Sequence, residues 1–447
     1  MNHTLIKGGS ILSEHSFVMS DVLIDSLGKI EKIEPDIEAP HADHIDATGK
    51  LLLPLLIDCH VHFREPGLEH KGTMLSEGSA AVAGGIGTVC EMPNTIPPTV
   101  TIAALADKVT RASHVDHLKM KFFFGITERA NLMELKNLFT SKEIETEMLR
   151  RHVAGVKLYL DHSTGDQKVA SELLEEIFMV CKEFSIQIVA HCEDPEMNRN
   201  AAEKVISMMN NRSGGSTSSA LIELHSQMRP PESEVKAIED AITLVRKTGA
   251  SFHVAHLSTK GGLEAVKKAK NEGLPVTCEV APHHLFLTTE DYMTLGALGK
   301  MNPPLRSMND RDALWKGVGD GTVDCIATDH APHTLEEKNV ANPLDAPSGI
   351  PGVELMLPLL LTVASGHWPH PSSKKPPVKF SYADIVRLCG ENPAKIFGLE
   401  QDVLEKGKIA RLAVIDLKKE WSVESKNLKT KCGWSPYEGW KMQGKLI

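Results

Sequence analysis

Asp58-Cys59-His60-Val61-His62 directly follows an apolar run over residues 51–57. Alternate side chains of a strand share a face. His60 and His62 can therefore aim two imidazoles at one point where a strand ends. Such a pair can begin a site for zinc or a related divalent ion. It can equally be two buried, hydrogen-bonded histidines, since the chain holds 21. The rest of the chain decides between these readings. His191 closes an apolar run at 186–191, His256 closes one at 251–256, and Asp329 follows one at 323–328. Lys157 lies inside a fourth, at 155–160. Imidazole nitrogens and carboxylate oxygens suit zinc and its neighbours. Six positions exceed the needs of one tetrahedral ion and match two ions held close together. Lys157 is the odd member, because an ammonium has three donors and no acceptor. Taken alone it reads as a salt-bridge residue. Only carboxylation of the neutral amine by CO2 makes it an anionic bridge, and burial beside cations favours that neutral amine.

These residues need a frame that brings strand ends together. Strand-like runs cover 51–57, 87–92, 119–126, 155–160, 186–191, 251–256, 275–280 and 323–328. Amphipathic stretches at 73–83, 170–183, 232–248 and 263–271 read as helices between them. Alternating strands and helices predict a parallel sheet. Eight strands over this length favour a closed (β/α)8 barrel of the TIM type, with its chemistry at the C-terminal strand ends. Residues 4–9, 21–25 and 29–33 alternate with period two, which predicts an antiparallel sheet, and 408–416 carries the same pattern. The expected architecture is α/β: a barrel over 54–400, with a small β-sandwich domain built from 1–53 and 401–447. The Gly/Ser-rich stretch 210–219 reads as mobile, and 367–377 as an exposed loop.

The bulk composition narrows the function classes. Hydrophobic content of 41% and charged content of 24% are those of a globular enzyme rather than a disordered chain. The net charge is -10 with both signs mixed, so the basic stripe of a nucleic-acid-binding protein is missing. A small-molecule substrate fits better. There is no basic segment followed by an apolar signal core and no apolar run long enough to span a membrane. Eight cysteines without a CxxC pair read as buried thiols of a reducing, cytoplasmic setting. A homodimer is the default expectation for such an enzyme.

The order HxH, Lys, His, His, Asp resembles the amidohydrolase superfamily in its cyclic-amidohydrolase branch, and within that the dihydroorotases. Asp58 to Gly67 (DCHVHFREPG) is similar to their DxHVHxRxPG signature. GIGTVCEMPNT at 85–95, MNPPLR at 301–306 and ATDHAPH at 327–333 resemble further segments of that family, as do GVKLY at 155–159 and ENPA at 391–394. The resemblance implies that His60 and His62 bind one zinc and His191 and His256 a second. Carboxylated Lys157 would bridge them, and Asp329 would be both ligand and acid/base. It assigns Arg64, Asn94, Asn302 and His333 to the carboxylate and ring of the substrate. The implied reaction is the reversible hydrolysis of L-dihydroorotate to N-carbamoyl-L-aspartate, whose reverse closes the ring in pyrimidine biosynthesis.

Arg64 supports this from its chemistry, because a guanidinium fork matches a carboxylate bidentately. Without the neighbouring ligands it would read as a surface salt bridge. Allantoinases and hydantoinases or dihydropyrimidinases share the metal set and are the alternatives. A non-catalytic scaffold relative would have lost ligands, whereas all six are kept here. His283-His284 falls on no ligand position and reads as structural.

Overall fold

The computed structural model describes residues 2–13, 16–162, 167–210 and 218–447. Its central sheet runs through eight strands: Leu56–Val61, Ile86–Glu91, Lys119–Gly125, Val153–Tyr159, Ile188–His191, Phe252–Val254, Val276–Val280 and Cys325–Ile326. Each pairs in parallel with the next. Strands covered on both sides read as nearly continuous apolar runs, which is why all eight are visible in the sequence. Cys59, Cys90, Phe123, Val189, Ala255 and Cys325 pack together from six different strands and fill the barrel. Alternate residues such as Ile188 and Ala190 join the larger core outside it.

The seam between the eighth strand and the first is closed by different means. The His62 amide donates to the His330 carbonyl at 2.8 Å. Asp58, fully buried, accepts from the Thr328 amide at 3.0 Å and the Thr328 hydroxyl at 2.5 Å. Burial, opposed by these bonds, pushes the Asp58 carboxyl up to about 7.

The apolar run at 51–57 serves two sheets. Leu51–Pro54 belongs to a seven-stranded terminal sheet and Leu56–Val61 to the barrel. The terminal sheet combines five strands from the first 54 residues with Leu412–Ser422 and Lys441–Leu446. It was expected to be antiparallel. It is mixed, because Asp43–Asp46 and Leu51–Pro54 both run parallel to Thr4–Ser13. It buries both faces: Ile6, Val22 and Leu52 lie in one cluster, and Leu5 and Leu23 in another.

Between its last two strands the chain returns to the barrel. There Trp434, Tyr437 and Trp440 are buried in the main core, and the Trp434 indole donates to the His333 carbonyl at 2.7 Å.

Loop expectations fared unevenly. In 367–377, His370 is buried and bonded to Asp291 at 2.8 Å, which ties down a loop read as exposed. Of the stretch 210–219, residues 211–217 lie outside the described residues. Among the described residues, no helix is long and apolar enough to cross a membrane.

Asp58→Ala would strip the seam of its buried acceptor and leave Thr328 donors unpaired. The expected cost is about 2–3 kcal/mol of stability, read as a lower urea midpoint. An unchanged midpoint would show that the seam is held elsewhere.

Candidate metal centre

His60, His62, Lys157, His191, His256 and Asp329 line one cavity at the C-terminal ends of the strands. The rings converge: His60 lies 5.3 Å from His62 and 5.2 Å from His256 between centroids, and His191 lies 4.8 Å from His256. Ligand atoms of His60, His62 and Asp329 fall within 4.8 Å of one another.

Simple strand alternation does not produce this. The first barrel strand slips register between Asp58 and Val61, and such an irregularity re-aims side chains. Cys59 and His60 consequently both reach Glu279. His62 and Arg64 lie beyond the strand's end at Val61. Arg64 (φ 72), His256 (φ 34) and Asp329 (φ 47) turn inward through left-handed backbone, a conformation rare for residues other than glycine.

The hydrogen bonds behind the rings set their tautomers. His60 Nδ1 donates to Glu279 Oε1. His62 Nδ1 donates to Asn94 Oδ1 at 2.7 Å. His191 Nε2 donates to Glu193 Oε2 at 2.7 Å. The opposite nitrogen of each ring is left as a bare lone pair. His60 Nε2 and His62 Nε2 then face Asp329 Oδ1 at 3.3 and 3.0 Å, and His191 Nδ1 faces His256 Nε2 at 3.1 Å. Burial lowers His62 to about 4 and holds His191 and His256 below the ordinary histidine range. A set of acceptors converging on acceptors is the donor set of divalent cations, and hydrogen bonds from outer groups that fix ring orientation are its usual companion.

Lys157 Nζ fits the same picture. It is buried and has no hydrogen-bond partner among the described residues, lying 5.1 Å from the Tyr159 ring centre. Burial lowers its pKa to about 8, and the neutral amine is the form whose lone pair attacks CO2. His60, His62 and Asp329 thus fit a cation, with His191, His256 and Lys157 lining the same cavity.

Arg64, Asn94 and Asn302 line the cavity with the ligands. Arg64 Nε donates to the Pro332 carbonyl at 3.0 Å, and Nη2 lies 3.1 Å from His333 Nε2. His333 is the one expected site residue outside the cavity lining. Lys71 Nζ donates to its Nδ1 at 3.2 Å, and its Nε2 faces the Ser348 carbonyl at 3.1 Å. Burial and the cations Arg64 and Lys71 keep it neutral. It packs beside the Arg64 guanidinium. Asn94 has a double duty, since its side chain also orients His62. His283 and His284 are buried, and His284 Nε2 donates to the Pro303 carbonyl at 3.1 Å.

Tyr159, Ala331, Ser348 and Gly349 complete the lining and were missed, as were Glu193 and Glu279. Glu279 did stand at the end of an apolar run, and Glu193 two residues beyond His191, the same kind of signal that marked the ligands. Tyr159 and the backbone around Ser348 carried none.

Known proteins were compared with this chain. The model of the amidohydrolase family matches residues 51–446. A dihydroorotase of Methanosarcina mazei is 35% identical, the match covering 97% of this chain and 90% of that protein. A dihydroorotase of Bacillus cytotoxicus is also 35% identical, over 99% of this chain and 95% of its own. Among solved structures, the L-hydantoinase from Arthrobacter aurescens superposes with a TM-score of 0.87 at 26% identity, covering 100% of this chain and 94% of that one. A D-hydantoinase from a Thermus species reaches 0.83 at 24% identity, over 99% and 93%. The latter likeness bears on the fold alone.

Metal analysis tests the centre directly. Purified protein loaded with zinc should hold two equivalents, and Lys157→Ala should hold one or none. Two tightly bound equivalents in that variant would remove Lys157 from the bridge.

Proposed function

The chain belongs to the amidohydrolase family and acts as a cyclic amide hydrolase, and from that premise we propose that it interconverts L-dihydroorotate and N-carbamoyl-L-aspartate. The observation that carries the substrate is Arg64. It is 2% exposed, turned inward by left-handed backbone, and lines the same cavity as the ligand set. A buried guanidinium there calls for an anion, and its planar fork matches the carboxylate of dihydroorotate. Hydantoin and dihydrouracil have no carboxylate to offer it. The two dihydroorotases that match nearly full length support the same reading.

His60, His62, His191, His256, Asp329 and carboxylated Lys157 would hold two zinc ions. Bound there, they supply a hydroxide nucleophile at neutral pH and polarise the scissile carbonyl. The protein's own groups do the rest. Arg64 anchors the substrate carboxylate, with the Pro332 carbonyl fixing the guanidinium. Asn94 and Asn302 offer amides to the ring. Asp329 accepts the proton of the attacking water and returns it to the departing ring nitrogen. Microscopic reversibility makes it the acid in one direction and the base in the other.

The structural likeness to an L-hydantoinase at 26% identity favours a second reading, hydrolysis of an uncharged five-membered ring. Steady-state kcat/KM on dihydroorotate, hydantoin, dihydrouracil and allantoin separates the two. Dihydroorotate should be preferred, and Arg64→Met should lower its kcat/KM by about 10- to 100-fold, the worth of a hydrogen bond to a charged group. The same variant should hardly alter the slower turnover of dihydrouracil. Preference for hydantoin or allantoin, or an equal loss on all substrates, would defeat the assignment.

A further inference from the structure

One histidine of each pair is backed by a carboxylate, and the two carboxylates sit in different electrostatic settings. Behind His60, Glu279 accepts from His60 Nδ1, from His253 Nε2 at 3.2 Å, from the His256 amide at 3.2 Å and from Cys59 Sγ at 3.4 Å. Among the described residues, no lysine or arginine forms an ion pair with it. Behind His191, Glu193 is gripped by a cation. Arg229 Nε donates to its two oxygens at 3.1 and 3.0 Å, and Arg229 Nη2 donates to Oε2 at 2.6 Å.

Arg229 is itself fixed from several sides. Its Nη2 also reaches Asp161 Oδ2 at 3.2 Å and the His162 carbonyl at 3.3 Å. Its own carbonyl accepts from Arg306 Nη1, and Arg306 is in turn held by Ser258 Oγ at 3.1 Å. Asp161 is steadied by Asn198 at 2.7 Å. Glu193 is fully buried while the Arg229 side chain is 14% exposed, so the carboxylate end of this fork is shielded from water.

We propose that Arg229 and Glu193 are positioning residues that set the metal affinity of the His191/His256 subsite independently of the His60/His62 subsite. The proposal rests on the two-metal reading above. Both rings of the His60/His62 pair are held from behind, by Glu279 and Asn94, whereas His256 Nδ1 has no hydrogen-bond partner among the described residues, so the His191/His256 subsite is the weaker of the two. It depends on the fork to hold Glu193, and through it His191, in one orientation. Outer groups of this kind are worth about 10- to 100-fold in metal affinity.

Chelator competition on the zinc-loaded protein tests this, following release of each equivalent. Wild type should release its two equivalents in separate steps. Glu193→Gln and Arg229→Met should each release the first at about 10- to 100-fold lower chelator, with the second unmoved. The shifted equivalent should be the one missing from His256→Ala. Because Arg229 acts through Glu193, the double variant should be no worse than the more affected single one. If Arg229→Met does not fold, Arg229→Lys carries the test, with a smaller shift of the same equivalent. Wild-type release in the variants, equal displacement of both equivalents, or additive effects in the double variant would overturn the proposal. Wild-type protein holding fewer than two equivalents would instead overturn the two-metal reading beneath it.

Discussion

The carboxylate of Glu279 is the constraint on which the centre depends. It is buried, and it accepts hydrogen bonds from His60, His253 and the backbone amide of His256. A buried anion must be satisfied by hydrogen bonds or it is costly. That requirement forces His60 into the tautomer whose bare nitrogen looks into the cavity. Glu193 does the same to His191, and the Asn94 carbonyl to His62. The convergence of lone pairs is thus written in groups outside the ligand set.

Backbone strain is concentrated at the same place. Arg64, His256 and Asp329 are three of the five non-glycine residues with positive φ among those described. Each such residue costs about 1–2 kcal/mol, and such conformations persist only where the surroundings over-determine them. Here the surroundings are specific. Pro332 holds the Arg64 guanidinium and Glu279 the His256 amide. The packed interior of Cys59, Phe123, Val189 and Cys325 keeps the strand ends from relaxing. Barrel packing and the buried seam at Asp58 offset what the site gives up.

Much of this was legible in one dimension. Each barrel strand is covered on both sides and therefore leaves an unbroken apolar run, and the six ligand positions fall at or near the ends of such runs. The run at 51–57 misled, because Leu51–Pro54 and Leu56–Val61 are equally apolar while belonging to different sheets. Period two suggested an antiparallel terminal sheet. Alternation reports which face is buried and says nothing about the direction of the neighbouring strand.

The residue types and their order determined the barrel, the candidate ligands and the presence of an arginine beside them. Those follow from local rules of burial, periodicity and donor chemistry. Only the tertiary structure decided how the residues face. His60 and Arg64 reach the cavity through a register slip and a left-handed turn, neither of which side-chain alternation can reveal. His333, expected among the substrate contacts, lies 3.1 Å from Arg64 Nη2 with Lys71 and the Ser348 carbonyl on its other sides. Glu193 and Glu279 became part of the centre because folding brought them against His191 and His60, the latter across 219 residues of chain. Direction and tautomer are properties of neighbours distant in sequence, and those neighbours meet only when the barrel closes.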